Sequence, residues 1–213
     1  MDYVMEELTS PEMNPPGMVQ PKLPTVTYTL NDAHDGKRTL DVYLTDQILP
    51  AYLYSEIASV FLLLGEADSV NIHLHTPGGF LETAQLFSHL IENCRCRNNV
   101  TGIAHGNVIS AGTPILLACT HIQIAPGAHF MFHSSRHGDM GKTATIKSQS
   151  EAMMSFVNGM IRRMVERGML KEEEYKRIAE GGQDVYISGS EMAVRLGLVE
   201  APAQPAQEEP TND

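Results

Sequence analysis

No apolar stretch in this chain of 213 residues approaches the roughly 18 residues that a helix needs to cross a bilayer. A membrane partner is therefore not expected. The N-terminus also lacks a basic region followed by an apolar one, which argues against a secretory leader. Cysteine is scarce. Three residues, an odd number, do not make a disulfide framework, and Cys94 and Cys96, spaced C-x-C, have no second pair to complete a zinc site. Reduced thiols in a cytoplasmic protein are the expectation. Positive charge is short as well: 15 Lys and Arg stand against 26 Asp and Glu, for a net charge of −11. An acidic surface repels nucleic acid, so neither DNA nor RNA is an expected partner. Phosphate-binding signatures are missing too. Pro77-Gly78-Gly79 has no following Lys-Ser/Thr, and it is not a G-x-G-x-x-G fingerprint. Neither a metal nor an organic cofactor is expected.

What is present is an ordinary globular composition, 42% hydrophobic and 19% charged, over a length that suits one medium domain. The acidity gathers at the ends. Residues 1–24 hold Asp2, Glu6, Glu7 and Glu12 against Lys22, along with five prolines, and read as a flexible arm. Residues 201–213, rich in Ala, Pro, Gln and Glu, read as a disordered tail. The segment 25–200 between them is the expected folded domain.

Within that segment strand and helix patterns alternate, which indicates an α/β fold. Period-two runs predict strands over Thr25–Leu30, Thr39–Thr45, Val70–His75, Val100–His105, Ile122–Ile124, His129–His133 and Val185–Ile187. Helical spacing predicts helices over Pro50–Leu64, with Gly65 as its C-cap, and over Phe80–Cys94, Ala111–Cys119, 143–168 and Lys171–Ala179. A last helix, Glu191–Leu196, opens on a Ser188/Glu191 capping box and closes at Gly197.

The chemistry centres on Ser110, which stands where a strand gives way to an apolar helix, in Gly106-Asn107-Val108-Ile109-Ser110-Ala111-Gly112. A serine is a weak nucleophile without a base, an acid that orients the base, and oxyanion donors. His133, at a strand end before the loop Ser134-Ser135-Arg136, is a candidate base, with His105, His129 and His137 as rivals. Asp184, before a strand, is a candidate orienting acid, with Asp139 as its rival. The Ala111 N–H at a helix start and the Gly78-Gly79 turn offer backbone donors. Val108 occupies the first glycine position of a G-x-S-x-G elbow, so an α/β-hydrolase is set aside.

Four segments, His75-Thr76-Pro77-Gly78-Gly79, Gly106–Gly112, Phe130-Met131-Phe132-His133 and Asp184–Ala193 with Gly197-Leu198-Val199, resemble in order and spacing the proteolytic subunit of the Clp protease, ClpP. The resemblance runs from about residue 39 to residue 200. It implies a ClpP/crotonase-like fold of repeated β-β-α units with a protruding handle helix over 143–168. It implies Ser110 as nucleophile, His133 as general base, Asp184 as orienting acid, and the Gly78 and Ala111 backbones as the oxyanion hole. Gly79, Phe80 and Leu81 on one side, and Ser134, Ser135 and Arg136 on the other, would flank a peptide or unfolded-protein substrate. It further implies a homo-oligomer, a heptameric ring stacked in pairs, served by an ATP-dependent unfoldase. The chain departs from the pattern at Ala111, where the family commonly has methionine, at His75-Thr76, where it usually has Asn-Ser, and in the proline-rich arm. A divergent, phage-encoded member processing a capsid or scaffold would fit these departures. Two alternatives stand beside this reading: a crotonase-fold acyl-CoA enzyme, and a catalytically silent ring subunit.

Overall fold

The structure, a computed structural model, describes residues 27–32, 36–134 and 143–199. Seven strands make one sheet. These are β1 (Thr27–Asp32), β2 (Arg38–Leu44), β3 (Ser69–Thr76), β4 (Val100–Ile109), β5 (His121–Ile124), β6 (His129–Phe132) and β7 (Val185–Ser188). Their order is β1-β2-β3-β4-β6-β7, with β5 joined to β4 beside that path. Strands β2, β3, β4 and β6 run parallel, while β1 and β7 close the two edges antiparallel. The ten-residue β4 pairs with two partners in turn. Its first half, Thr101–Ala104, takes β5, and its last three residues, Asn107–Ile109, take β6.

Six α-helices accompany the sheet: α1 (Ser55–Leu63), α2 (Leu81–Asn93), α3 (Gly112–Ala118), α4 (Thr143–Glu166), α5 (Glu172–Ala179) and α6 (Gly189–Arg195). Alternation in the central strands explains the core. Leu40, Val42 and Leu44 of β2, Val70, Ile72 and Leu74 of β3, and Val100, Ala104 and Val108 of β4 are buried on one face. They share a cluster with Ile57 and Phe61 of α1, Ala84, Phe87 and Ile91 of α2, and Ile115 and Leu116 of α3. Burying each large side chain contributes about 1.5–3 kcal/mol.

Three expectations need correction. The strand anticipated to stop at His105 continues through Gly106-Asn107-Val108-Ile109, because β6 supplies a pairing partner just where β5 ends. Gly65 is not a left-handed C-cap. Leu64 already leaves the helix in an extended conformation (ψ 139°), and the Gly65 N–H donates to Asp68 Oδ2 at 2.7 Å. The helix expected from Pro50 starts as a 3₁₀ turn over Ala51–Tyr54 before becoming α1. The Ser188 cap is present, its hydroxyl accepting from the Glu191 N–H at 3.2 Å. The terminal arm and tail, residues 1–24 and 201–213, lie outside the described residues.

Candidate active site

In open sheets with parallel strands, ligands bind beyond the carboxyl ends of the strands. β3, β4 and β6 all end at the same margin. Ser110 follows β4 directly with φ 54°, making it the only non-glycine residue of positive φ among the described residues. That left-handed conformation costs on the order of 1–3 kcal/mol and persists only where its surroundings over-determine it. Here they do. The Ser110 N–H donates to Met131 O of β6 at 2.9 Å, and the Ser110 carbonyl accepts twice from Thr113, from N at 3.0 Å and from Oγ1 at 2.8 Å.

Room for the strained turn comes from the loop after β3. Gly78 (φ 92°) lies so close that a Cβ there would stand 2.7 Å from Ser110 Cβ, 2.8 Å from Ile109 O and 3.2 Å from Ala111 N. The Gly78 N–H donates to Thr76 Oγ1 at 3.0 Å, and Thr76 is fully buried. Ala111 N–H, at the start of α3, has no hydrogen-bond partner among the described residues. Next along, Gly79 sits against Ile48. Ile48 N donates to Gly78 O at 2.9 Å and Phe80 N donates to Ile48 O at 3.0 Å. This bridge uses one edge of the segment Gly78–Phe80 and leaves the N–H and C=O of Gly79 unpaired among the described residues. Phe80 is 43% exposed beside it, and Leu81 is half-buried.

His133 leaves β6 two residues beyond Met131. The last registered pair of β6 and β7 is Phe132 with Val185, and His133 and Asp184 are the residues that adjoin this pair at the same end of the two strands. Ser110, His133 and Asp184 therefore reach one margin from three strands, and all three are half-buried. The His133 Nδ1 lies 2.5 Å from the Ser134 carbonyl. A carbonyl only accepts, so Nδ1 carries the proton and Nε2 of the neutral ring is left as an acceptor. Among the described residues no hydrogen bond joins Ser110 Oγ to His133, or His133 to Asp184.

The rival histidines are engaged elsewhere. His105 Nε2 meets His73 Nδ1 at 2.9 Å, and His73 Nε2 in turn meets Asp41 Oδ1 at 3.3 Å. His129 Nδ1 meets Gly127 O at 2.9 Å. His137, Asp139, Ser135 and Arg136 lie outside the described residues. Two residues that shape the site were not anticipated from the sequence. These are Thr113, which holds the Ser110 carbonyl, and Thr76, which holds the Gly78 turn. The three-residue step from Ser110 to Thr113 at a helix start was the available signal. No cluster of three or more His, Cys, Asp or Glu suited to a metal ion occurs among the described residues, and no described helix is long and apolar enough to cross a membrane.

A model of the Clp protease family matches residues 35–204, most of the chain. The chain belongs to the Clp protease family. The fold agrees. A solved structure of a ClpP1 variant from Listeria monocytogenes superimposes with a TM-score of 0.58 at 22% identity, covering 75% of this chain and 88% of that one. This α/β architecture is thus the ClpP fold, carried on a sequence that has diverged far from that relative. A comparison with curated proteins gives no match.

Proposed function

We propose that the chain is a serine endopeptidase of the ClpP type. Ser110 is its nucleophile, His133 its general base and Asp184 the acid that orients the base. The observation that carries this reading is the strained turn. A serine is held at φ 54° by three hydrogen bonds, at the end of a central parallel strand, with a glycine pressed against it and an unengaged N–H next to it. Strain of that kind costs stability and is retained where it aims a reactive group.

In the reaction, His133 Nε2 takes the Ser110 proton as Oγ attacks the scissile carbonyl. Negative charge develops on the carbonyl oxygen, and the backbone donors stabilise it. The Ala111 N–H is free to do so, and the Gly78 N–H joins it by sharing its bond to Thr76 Oγ1. The imidazolium protonates the leaving amine, and water then cleaves the acyl-enzyme by the reverse proton path. His133 Nδ1 now donates to the Ser134 carbonyl, so for Asp184 to orient the base and stabilise the imidazolium the Nδ1–H turns from Ser134 O to the Asp184 carboxylate in the working form. The substrate backbone adds as a strand along the open edge of Gly79, between Gly79–Leu81 and Ser134–Arg136. Main-chain pairing of this kind is tolerant of side-chain sequence. No metal or organic cofactor enters these steps.

The working form is proposed to be a homo-oligomeric ring, heptameric and stacked in pairs. The energy for unfolding substrates would come from an ATP-dependent partner, because this chain has no nucleotide-binding motif.

One experiment tests the chemistry and the assembly together. The full chain is treated with a fluorophosphonate probe, its native mass is measured, and cleavage of a fluorogenic peptide is followed beside Ser110→Ala. Labelling at Ser110, and a loss of at least about 10³-fold on substitution, are expected. Equal activity in the two proteins would sink the serine mechanism. Absence of both labelling and cleavage in an assembled ring would favour a silent subunit, and acyl-CoA turnover without labelling would favour the crotonase chemistry.

A further inference from the structure

The three cysteines gather around the opposite end of β4 from Ser110. Cys94 closes α2, Cys96 lies two residues on in the turn before β4, and Cys119 closes α3. The turn is well defined. Arg97 N donates to Cys94 O at 3.2 Å, and Cys96 has φ −89° and ψ 22°, close to the values of the third position of a type I turn. A turn of this kind brings Cα atoms two positions apart to within the roughly 4.4–6.8 Å that a disulfide spans. The two sulfurs are already in contact, with Cys96 Sγ donating to Cys94 Sγ at 3.6 Å.

The two thiols differ in environment. Cys94 is half-buried, whereas Cys96 is 1% exposed. The hydrogen bond from Cys96 lowers the Cys94 thiol, against the opposing effect of burial and with help from backbone N–H groups and the Arg97 charge, while Cys94 Sγ itself donates to Ile91 O at 3.3 Å. The same bond, together with burial, pushes Cys96 upward. Cys119 is pushed up to about 12 by burial, and its thiol donates to Ile115 O at 3.4 Å. The less buried residue of the pair is thus the one whose thiol is shifted toward ionisation, and a second thiol is in contact with it.

We propose that Cys94 and Cys96 form a reversible dithiol site for a hydroperoxide, in which Cys94 reacts first and Cys96 closes the disulfide. The Cys94 thiolate attacks one peroxide oxygen. An S–O bond forms, the O–O bond breaks, and the departing hydroxide takes up a proton as water. The Cys96 sulfur then attacks Cys94 Sγ. The S–S bond forms, the S–O bond breaks, and the second oxygen leaves as water with the Cys96 proton. Two thiols are oxidised by two electrons, and one hydrogen peroxide is reduced to two waters. A small-molecule dithiol restores the pair. Ten residues of β4 separate this turn from Ser110, about 30 Å of strand, so the thiol chemistry is read independently of any peptidase activity.

The full-length protein is treated with hydrogen peroxide in small excess at pH 7, quenched with iodoacetamide, and mapped by mass spectrometry without reduction. Expected are the loss of two hydrogens per chain, an intrachain Cys94–Cys96 bond, and full recovery on adding dithiothreitol. In Cys96→Ser the reaction should halt at a Cys94 sulfenic acid that a 1,3-dione traps. Cys119→Ser should behave as the parent, with circular dichroism confirming the fold of both variants. Three results would overturn the proposal: no disulfide in the parent chain, a disulfide involving Cys119 or a second chain, or Cys94 alkylation at pH 7 no faster than that of Cys119.

Discussion

The two ends of the parallel sheet are built on opposite principles. At the amino ends of β2, β3 and β4, polar groups are paired with one another. Arg38 clasps Asp68 at 2.7 Å, and Asp68 also accepts from the backbone N–H of Arg38 and of Gly65. Asn99 Nδ2 ties Glu66 O and Asp68 O, and Thr120 Oγ1 donates to Arg97 O at 2.6 Å. At the carboxyl ends the backbone is strained instead, and donors are left over: Ser110 at φ 54°, Gly78 at φ 92°, and the N–H groups of Ala111 and Gly79 without partners among the described residues. One end spends its hydrogen bonds on fixing the strands. The other leaves some donors unpaired among the described residues, beside a few buried hydroxyls. Paired and strained backbone are thus segregated along the length of the same strands.

That contrast can be broken most severely at Gly78. Gly78→Ala places a Cβ within 2.7 Å of Ser110 Cβ at a φ that L-residues rarely adopt. It should cost about 3 kcal/mol in thermal unfolding, and about 100-fold in peptide cleavage through displacement of the turn. Wild-type activity in this variant would show that the close approach of the two loops is irrelevant to the site. A milder cut at the same end is Thr113→Val, which deletes one of the two bonds to the Ser110 carbonyl. About 1 kcal/mol of stability and about tenfold in kcat should be lost, with KM nearly unchanged. Stopped assays at several substrate concentrations separate these two constants.

The smallest effect on cleavage belongs to the other end, where the change is in stability and depends on pH. The Arg38 guanidinium, with the Gly65 N–H, lowers the Asp68 carboxyl to about 2. A depressed carboxyl contributes stability that is fully present above its unfolded pKa, near about 4, and is lost as pH falls through its folded value. Asp68→Asn should therefore be less stable than the parent at neutral pH. The gap should narrow between about pH 4 and pH 2, while cleavage per folded molecule at neutral pH stays unchanged. Denaturant melts across that range check the sign. A gap that widens on acidification would mean that Asp68 is not held by Arg38 in the folded chain.

Much of the sheet was legible because β2, β3 and β4 alternate plainly, and a period-two pattern with one dry face leaves little choice of element. The extension of β4 was not legible. Gly106 and Asn107 are poor strand formers, and only the arrival of β6 at Asn107–Ile109 makes them strand. Gly65 misled for a similar reason: a glycine after an apolar helix reads as a cap, whereas here it serves the Asp68 carboxylate. At the candidate site, local pattern marked Ser110 as standing on a strand-to-helix turn. It left the bases and acids unranked, because which residues adjoin the Phe132–Val185 pair is a matter of register between strands remote in sequence. The role of Thr76 was hidden because a threonine before Pro-Gly-Gly has the same appearance whether its hydroxyl is buried or wet.

The antiparallel pairing of β6 with β7 has a consequence for the order of events during synthesis. Phe132 and Val185 meet across about 50 intervening residues, and contacts so distant along the chain close late. Ser110, which follows β4, and Gly78 are both synthesised well before Asp184. On the proposed reading the residue that orients the base arrives with the last strand to be made, and a chain truncated before β7 would carry the serine without it.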